Sequence, residues 1–315
     1  MRLYVFGTRG SIPSPSCEGL DGGDGFSTKM YGGNTTCYVV EGKDKSLHIV
    51  DAGSGIRVFG NRLIGSGYTG NMNLYITHTH WDHIQGFPFF KPAFRKGNFV
   101  DVYGEAKIGG DLVNAINKHS DMPGYYPSLP STFTINGYGI KDVFKDQQNE
   151  RNFPAPLSIM QGLGEFKDFI PESKIYDNGS IAVETTRINH PGGCISYKFT
   201  EGGKSLVIAT DFEPDFGSLD ERLIEWFRGS EFVVADGQYE RDSKDNPFVK
   251  TWGHSDYVTD LDICSRAGVK NLLITHHEPM MDDKYHKSLE DKASTLGSSM
   301  GIVAGLAKEG RFYDI

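Results

Sequence analysis

The chain has 315 residues, of which 38% are hydrophobic and 23% are charged, a composition typical of a folded globular protein and not of a disordered or membrane-embedded one. Its formal net charge of -9 argues against a non-specific binder of polyanions, because such proteins carry a basic surface that displaces counterions from phosphates. The four cysteines show no CxxC pairing, which predicts reduced thiols and a cytoplasmic protein. No run approaches the roughly 20 apolar residues that a membrane span needs.

Short runs rich in Val, Ile, Leu and Tyr, bounded by turn residues, predict two series of strands. The first series lies at 2–7, 36–41, 46–50 and 71–77, and its first three members suggest an antiparallel meander. The second lies at 181–189, 194–200, 205–210, 231–236 and 271–275, with helical patterns near 218–228 and 255–267. Two sheets face to face with helices outside would result, so we predict one α/β domain over 1–315 with four layers, αββα.

Residues at about 105–180 interrupt this alternation. Turn-forming residues dominate at 121–131, and a polar run follows at 141–151. We interpret the stretch as an insertion that faces the substrate, since long segments of this kind often cover active sites.

A dense group of metal-ligand side chains follows the strand predicted at 71–77. His78, His80, Asp82 and His83 form an H-x-H-x-D-H pattern. Because alternate side chains of an extended chain share a face, His78 and His80 can reach one ion together, while Asp82 and His83 turn toward a second. The sequence therefore predicts half of a two-metal site at the end of a strand, where α/β proteins tend to place their chemistry.

Three further ligand-type residues close predicted strands downstream. His190 ends the run Thr-Arg-Ile-Asn-His, Asp211 ends Val-Ile-Ala-Thr-Asp, and His276 ends Leu-Leu-Ile-Thr-His. His277 competes with His276 for the last position. We favour His276, because it follows the strand directly.

With these residues the sequence resembles the metallo-β-lactamase superfamily over nearly the whole chain, and within it the phosphodiesterase branch that includes ribonuclease Z and a cyclic phosphodiesterase. The resemblance implies these ligands: His78, His80 and His190 for one ion; Asp82, His83 and His276 for the other; and Asp211 as the bridge. Ligands of this mixed nitrogen and oxygen type suit two Zn²⁺ ions, although Mn²⁺ or Fe²⁺ can occupy the same set.

Outside the ligands, Trp252-Gly-His254-Ser255 resembles the His-Ser-Thr motif of ribonuclease Z, with Asp256 where Thr is usual. His254 would then be catalytic, stabilising charge on the phosphoryl oxygens or protonating the leaving alkoxide. The plainer alternative is that Ser255 caps a helix and His254 is merely exposed. Asp82 is the second catalytic candidate, holding its ion and orienting the attacking hydroxide.

Glycine-rich stretches at 6–13, 31–36 and 49–55 also fit the resemblance and are expected to shape loops near the metals. Asp51 would orient a metal ligand from behind, as hydrogen-bonded carboxylates commonly do. Arg9 and Asn34 are candidate substrate contacts.

Two ions about 3.5–4 Å apart can hold a bridging hydroxide and neutralise charge during in-line displacement. We therefore predict a metal-dependent phosphodiester hydrolase. The acidic charge and the lack of a basic, glycine-rich arm favour a small cyclic nucleotide, such as a 3′,5′-cyclic monophosphate, over tRNA. An RNA-processing endonuclease of ribonuclease Z type is the enzymatic alternative, and a non-catalytic metal- or ligand-binding protein is the alternative of another class. A membrane partner is not expected, and a homodimer stays open.

Overall fold

The computed structural model describes residues 1–19, 25–106, 138–214, 218–240 and 251–315. Its strands are β1 (Arg2–Gly7), β2 (Cys37–Glu41), β3 (Leu47–Val50), β4 (Asn71–Tyr75), β5 (Phe99–Glu105), β6 (Leu163–Phe169), β7 (Lys174–Asp177), β8 (Ile181–Ile188), β9 (Cys194–Glu201), β10 (Lys204–Ala209), β11 (Phe232–Asp236), β12 (Asn271–Thr275), β13 (Val303–Leu306) and β14 (Phe312–Asp314). Its α-helices are α1 (Gly55–Gly65), α2 (Trp81–Ile84), α3 (Ile140–Gln147), α4 (Ser218–Phe227), α5 (Tyr257–Ala267) and α6 (Asp283–Ser299). Short 3₁₀ turns are Phe87–Phe89, Lys91–Phe94 and Leu157–Ile159.

The strands form two seven-stranded sheets, ordered β14-β1-β2-β3-β4-β5-β6 and β13-β12-β11-β10-β9-β8-β7. The strands β1, β2 and β3 pair antiparallel, as the predicted meander requires, whereas β3, β4, β5 and β6 run parallel. In the second sheet β10, β11, β12 and β13 run parallel. The predicted α/β class is confirmed.

Three hydrophobic clusters separate the layers. One packs α1 and α3 against the outer face of the first sheet, a second lies between the sheets, and the third packs α4, α5 and α6 against the second sheet. Each cluster buries one face of a sheet or one stripe of a helix, which is the main source of stability for such elements. The predicted four-layer αββα sandwich is therefore confirmed.

Two hydrogen bonds between the sheets hold the chain just before the H-x-H-x-D-H pattern. The Tyr197 hydroxyl donates to the carbonyl oxygen of Ile76 at 2.6 Å, and the Ile195 amide donates to that of Thr77 at 3.0 Å. All these groups are buried, so leaving either carbonyl without a donor would cost about 1–3 kcal/mol. The residues that lead into His78 are thus tied to the opposite sheet.

Part of the stretch at about 105–180, predicted as an insertion, belongs to the two sheets. Residues 107–137 lie outside the described part of the chain. Of the remainder, β6 pairs with β5 at the edge of the first sheet and β7 pairs with β8 at the edge of the second. Residues 163–177 therefore extend the core sheets. The sequence pattern did not predict these two short strands, because polar strands at the edge of a sheet lack a continuous apolar run. None of the helices described is long and apolar enough to cross a membrane.

Acid should destabilise the fold through His48, which lies between the sheets. Its Nδ1 contacts the Tyr75 hydroxyl at 3.1 Å and its Nε2 contacts Ser46 Oγ at 3.0 Å. Burial lowers the pKa of His48 from 6.5 to about 4. The unfolded chain therefore binds this proton first as pH falls, and the folded state loses about 2 kcal/mol between pH 7 and pH 5.

The measurement is urea unfolding of the wild type and of His48→Gln across that range. The variant should lack this part of the pH dependence, whatever its stability at pH 7. Parallel curves of unfolding free energy against pH would contradict the prediction.

Candidate metal centre

Strand ends place the candidate ligands at one edge of the sandwich. His78 and His80 follow β4, and His190 follows β8. Asp211 follows β10, and His276 follows β12. Because strands that run in the same direction end at the same edge, residues distant in sequence meet there, as the sequence predicted.

The first cluster consists of His78, His80 and His190. One ligand atom of each lies within 4.8 Å of the others. Nε2 of His190 is 3.1 Å from Nδ1 of His80, and the ring centroids of His78 and His190 are 4.7 Å apart. The structure thus brings together the three imidazoles predicted for one ion.

The second cluster consists of Asp82, His83, Asp211 and His276, all buried. Nε2 of His83 lies 3.2 Å from Asp82 Oδ2 and 3.3 Å from Asp211 Oδ1. Nε2 of His276 lies 3.1 Å from Asp82 Oδ2 and 3.2 Å from Asp211 Oδ2.

The Asp211 carboxylate stands between the two clusters. Its Oδ2 is 3.7 Å from His78 Nε2 and 3.9 Å from His190 Nε2, in addition to its contacts with the second cluster. A carboxylate has two oxygens with lone pairs in different directions. Asp211 is therefore placed to serve as the predicted bridge.

These distances fit metal ligands better than an ordinary hydrogen-bond network. Tetrahedral ligands with bonds of 2.0–2.1 Å stand roughly 3.3 Å apart, close to the spacing in the second cluster. Nε2 of His78, Nε2 of His83 and Oδ1 of Asp211 are buried and make no hydrogen bond within the described ranges. Such buried polar atoms are costly unless another group satisfies them, and a divalent cation would do so.

Asp51 orients His83 from behind, as predicted. Its Oδ2 accepts a hydrogen bond from His83 Nδ1 at 2.7 Å, and its Oδ1 accepts one from the Thr77 amide at 2.8 Å. A proton held on Nδ1 leaves the lone pair on Nε2, which faces the cluster.

His276 and His190 are held in the same way. Nδ1 of His276 donates to Gln238 Oε1 at 2.9 Å, and Nδ1 of His190 donates to the Gly253 carbonyl at 2.9 Å. A Cβ at position 253 would approach His190 Nδ1 to 2.2 Å, and Gly253 also has a φ of +92°. Only glycine fits there, so the Trp-Gly-His-Ser motif supports a ligand as well as presenting His254.

The pKa values of the histidines differ between the clusters. Burial lowers the pKa of His78 well below its usual value and that of His190 to about 4, which leaves neutral imidazoles. Burial also disfavours charge on His276, but the carboxylates of Asp211, Asp82 and Asp236 outweigh it and raise its pKa to about 9. The second cluster therefore attracts positive charge, which a divalent cation supplies.

Left-handed backbone conformations at non-glycine residues gather around the clusters. Ser11, Asp51 and His276 have φ values of +57°, +65° and +59°. Residues held in this region persist only where their surroundings determine them, and they concentrate at functional sites. The Ser11 amide is turned so that it donates to Asp82 Oδ2 at 2.8 Å.

His254 lies beside both clusters and is paired with a buried carboxylate. Its Nδ1 is 2.8 Å from Asp236 Oδ2, and its ring stacks on that of His276 with centroids 4.8 Å apart. The helix cap is Asp256, which accepts from the Val258 and Thr259 amides, whereas Ser255 donates to Asp260. The alternative in which Ser255 caps the helix and His254 is merely exposed is thus wrong.

The structure revises the expectation for Arg9 and supports the preference for His276 over His277. Arg9 is fully buried and donates to the carbonyl oxygens of Gly32, Glu278 and Met281, so it supports loops and does not reach a substrate. His277 Nε2 is 2.8 Å from the Ala307 carbonyl, away from the clusters, which leaves His276 as the candidate ligand.

Sequence reasoning missed Asp236, Gln238 and Ser11. The signal for Asp236 was present, because it ends β11 just as Asp211 follows β10. Gln238 and Ser11 carried no comparable signal, since each acts through one hydrogen bond that only the folded chain creates.

No protein-family model matches the chain. Among solved structures it is similar to YhfI from Bacillus subtilis, described as a metallo-β-lactamase fold protein, with a TM-score of 0.62 and 15% identity over 99% of this chain and 98% of that one. It is similar to unliganded yeast PDE1 with a TM-score of 0.62 and 15% identity over 100% and 99% of the two chains. For the short form of human tRNase Z the TM-score is 0.58, with 15% identity over 100% and 99%. Similarity at this level of identity shows that the chain has the metallo-β-lactamase fold.

Proposed function

We propose that this metallo-β-lactamase-fold protein is a metal-dependent hydrolase that uses two divalent ions, with zinc as the expected metal, to cleave phosphodiesters. The observation that carries the proposal is the pair of adjoining ligand clusters with His254 beside them. His78, His80 and His190 would hold one ion. Asp82, His83 and His276 would hold the other, with Asp211 between the two.

Two bound ions would activate water and neutralise charge on a phosphoryl group. The protein supplies the remaining functions. Asp51, Gln238 and the Gly253 carbonyl keep the Nε2 lone pairs of their histidine partners directed at the clusters. Asp82 is held by the Ser11 amide, and we assign it the second role of orienting the attacking water.

His254 is the proposed proton donor to the leaving oxygen. Asp236 accepts from its Nδ1, so the side chain presents Nε2 to the substrate. Asp236 is itself held by the amides of Phe212 and Gln238, which keep its carboxylate in place. An imidazole oriented in this way is placed to donate a proton to the leaving oxygen.

A small cyclic nucleotide is the proposed substrate class. The net charge of -9 disfavours a long polyanion, which needs a basic surface over many phosphates. The similarity to human tRNase Z, whose name marks an enzyme acting on tRNA, keeps RNA processing as the competing function.

Metal analysis of the purified protein, followed by a substrate panel, tests the proposal. We expect about two divalent ions per chain and turnover of a 3′,5′-cyclic nucleotide or of an aryl phosphodiester, lost on chelation and restored by Zn²⁺, Mn²⁺ or Fe²⁺. If precursor tRNA were the only substrate turned over, the function would be RNA processing and not cyclic nucleotide hydrolysis. Bound metal with no turnover of any phosphodiester would indicate a non-catalytic binding protein.

A further inference from the structure

A cavity of about 600 Å³ adjoins the candidate metal centre and extends beyond the groups proposed to act in cleavage. Its volume falls within the roughly 300–1,000 Å³ of ligand pockets. Trp252, Tyr239, Pro191 and Pro279 supply apolar walls, and Glu278 adds a carboxylate. His254 also lines the cavity, which therefore opens directly onto the site of chemistry.

The backbone presents Trp252 to this cavity at a cost in conformational strain. Thr251 and Gly253, its two neighbours, have φ values of +71° and +92°. The left-handed region is a genuine outlier for a β-branched residue such as threonine. Both neighbouring amides donate to Glu213, to Oε1 and Oε2 respectively, at 3.1 Å each. A strained and anchored segment thus holds an indole that is 56% exposed.

An exposed tryptophan in a fixed position suits stacking on a flat ring. Trp252 lines the cavity together with Tyr239 and two prolines, so its exposed indole face is available to a bound ligand. Base stacking on an aromatic side chain accepts any base, because every base has a π face. Trp252 and His254 line the same cavity, which places the stacking surface near the proposed phosphodiester position.

Glu278 supplies a carboxylate to the cavity, which Ser11 and Gln238 also line. Its Oε2 is 3.4 Å from Gln238 Nε2 and its Oε1 is 3.4 Å from the Met280 amide, so both contacts are long. Its carbonyl oxygen accepts from the buried Arg9 at 3.0 Å, which holds the residue in place. A carboxylate only accepts hydrogen bonds. Guanine offers it two adjacent donors, at N1 and N2. Adenine has an acceptor beside its single amino group and therefore matches a carboxylate less well.

We infer that this cavity binds the base of the substrate, with Trp252 stacking on the ring and Glu278 selecting guanine. The inference rests on the proposed phosphodiesterase function and names its substrate more closely, as a guanine nucleotide. Trp252 and Glu278 are specificity residues in this assignment and take no part in bond cleavage.

The test compares cyclic GMP, cyclic AMP and a base-free cyclic ribose phosphate in the metal-loaded protein. Trp252→Ala should raise KM for cyclic GMP about tenfold and leave the base-free substrate unchanged, since stacking contributes only where a base is present. Trp252→Phe should restore most of the affinity. Phe99→Ala is the matched control, because Phe99 is 58% exposed and begins β5, at the opposite end of the strands. Equal effects of Trp252→Ala on all three substrates, or none, would overturn the base site.

Glu278→Gln tests the choice of base. Wild-type protein should prefer cyclic GMP in kcat/KM, and the variant should reduce that preference about tenfold, since a glutamine amide can pair with adenine as well. A wild-type preference for cyclic AMP, or an unchanged ratio, would overturn the guanine assignment.

Quenching of tryptophan fluorescence by GMP, with ribose 5-phosphate as control, separates this inference from the proposed function. Loss of the quenching in Trp252→Ala supports the base site even if no phosphodiester is hydrolysed. Turnover of a phosphodiester without such quenching would support the hydrolase proposal and contradict the base site.

Discussion

Asp211→Asn is expected to lose both metal ions and to lower kcat by roughly 10³-fold. Asp211 is fully buried and stands between the clusters, so in the proposed site its carboxylate would contact both ions, which would supply several kcal/mol of transition-state stabilisation. An amide keeps the size of the side chain but removes the charge that offsets two cations.

Metal content by mass spectrometry and steady-state kinetics provide the measurement. Asp314→Asn is the control, because its carboxylate is exposed and pairs with Arg2 at the far edge of the first sheet. Circular dichroism should show a folded variant. Retention of two ions per chain in Asp211→Asn would refute the bridging role.

His254→Gln is expected to lower kcat by about 10²–10⁴-fold while metal content stays unchanged. This range is typical for the loss of a general acid or base. KM should change little, because the side chain acts on the leaving oxygen as the bond breaks. The loss should be much smaller for an aryl phosphodiester, since a phenolate with an electron-withdrawing group departs without a proton.

The same variant distinguishes two roles for His254. Its side chain also lies within ligand distance of His190 and Asp211, and of Asp236 and His276. A metal ligand would reveal itself by a fall in metal content on substitution, whereas a proton donor would not. His48→Gln controls for the loss of a buried histidine remote from the centre, and equal loss with alkyl and aryl leaving groups would contradict proton donation.

The sequence by itself determined the layer architecture and the candidate ligands. Long strands such as those predicted at 181–189 and 194–200 contain recurring apolar residues that give a clear signal, and the structure has them at Ile181–Ile188 and Cys194–Glu201. The H-x-H-x-D-H pattern and three strand-end residues singled out the candidates, and the resemblance to the metallo-β-lactamase superfamily implied which ion each of the seven would hold. The polar edge strands at 163–169 and 174–177 gave no such signal.

Only the tertiary structure decided which groups act on those ligands. Asp236 meets His254, and Gln238 meets His276, across 18 and 38 residues of sequence. Pairings of this kind depend on how distant segments pack in the folded chain. Local secondary-structure propensity carries no information about that packing. The buried position of Arg9 and the display of Trp252 follow from the same long-range packing, because burial is a property of the assembled layers and not of a side chain's own chemistry.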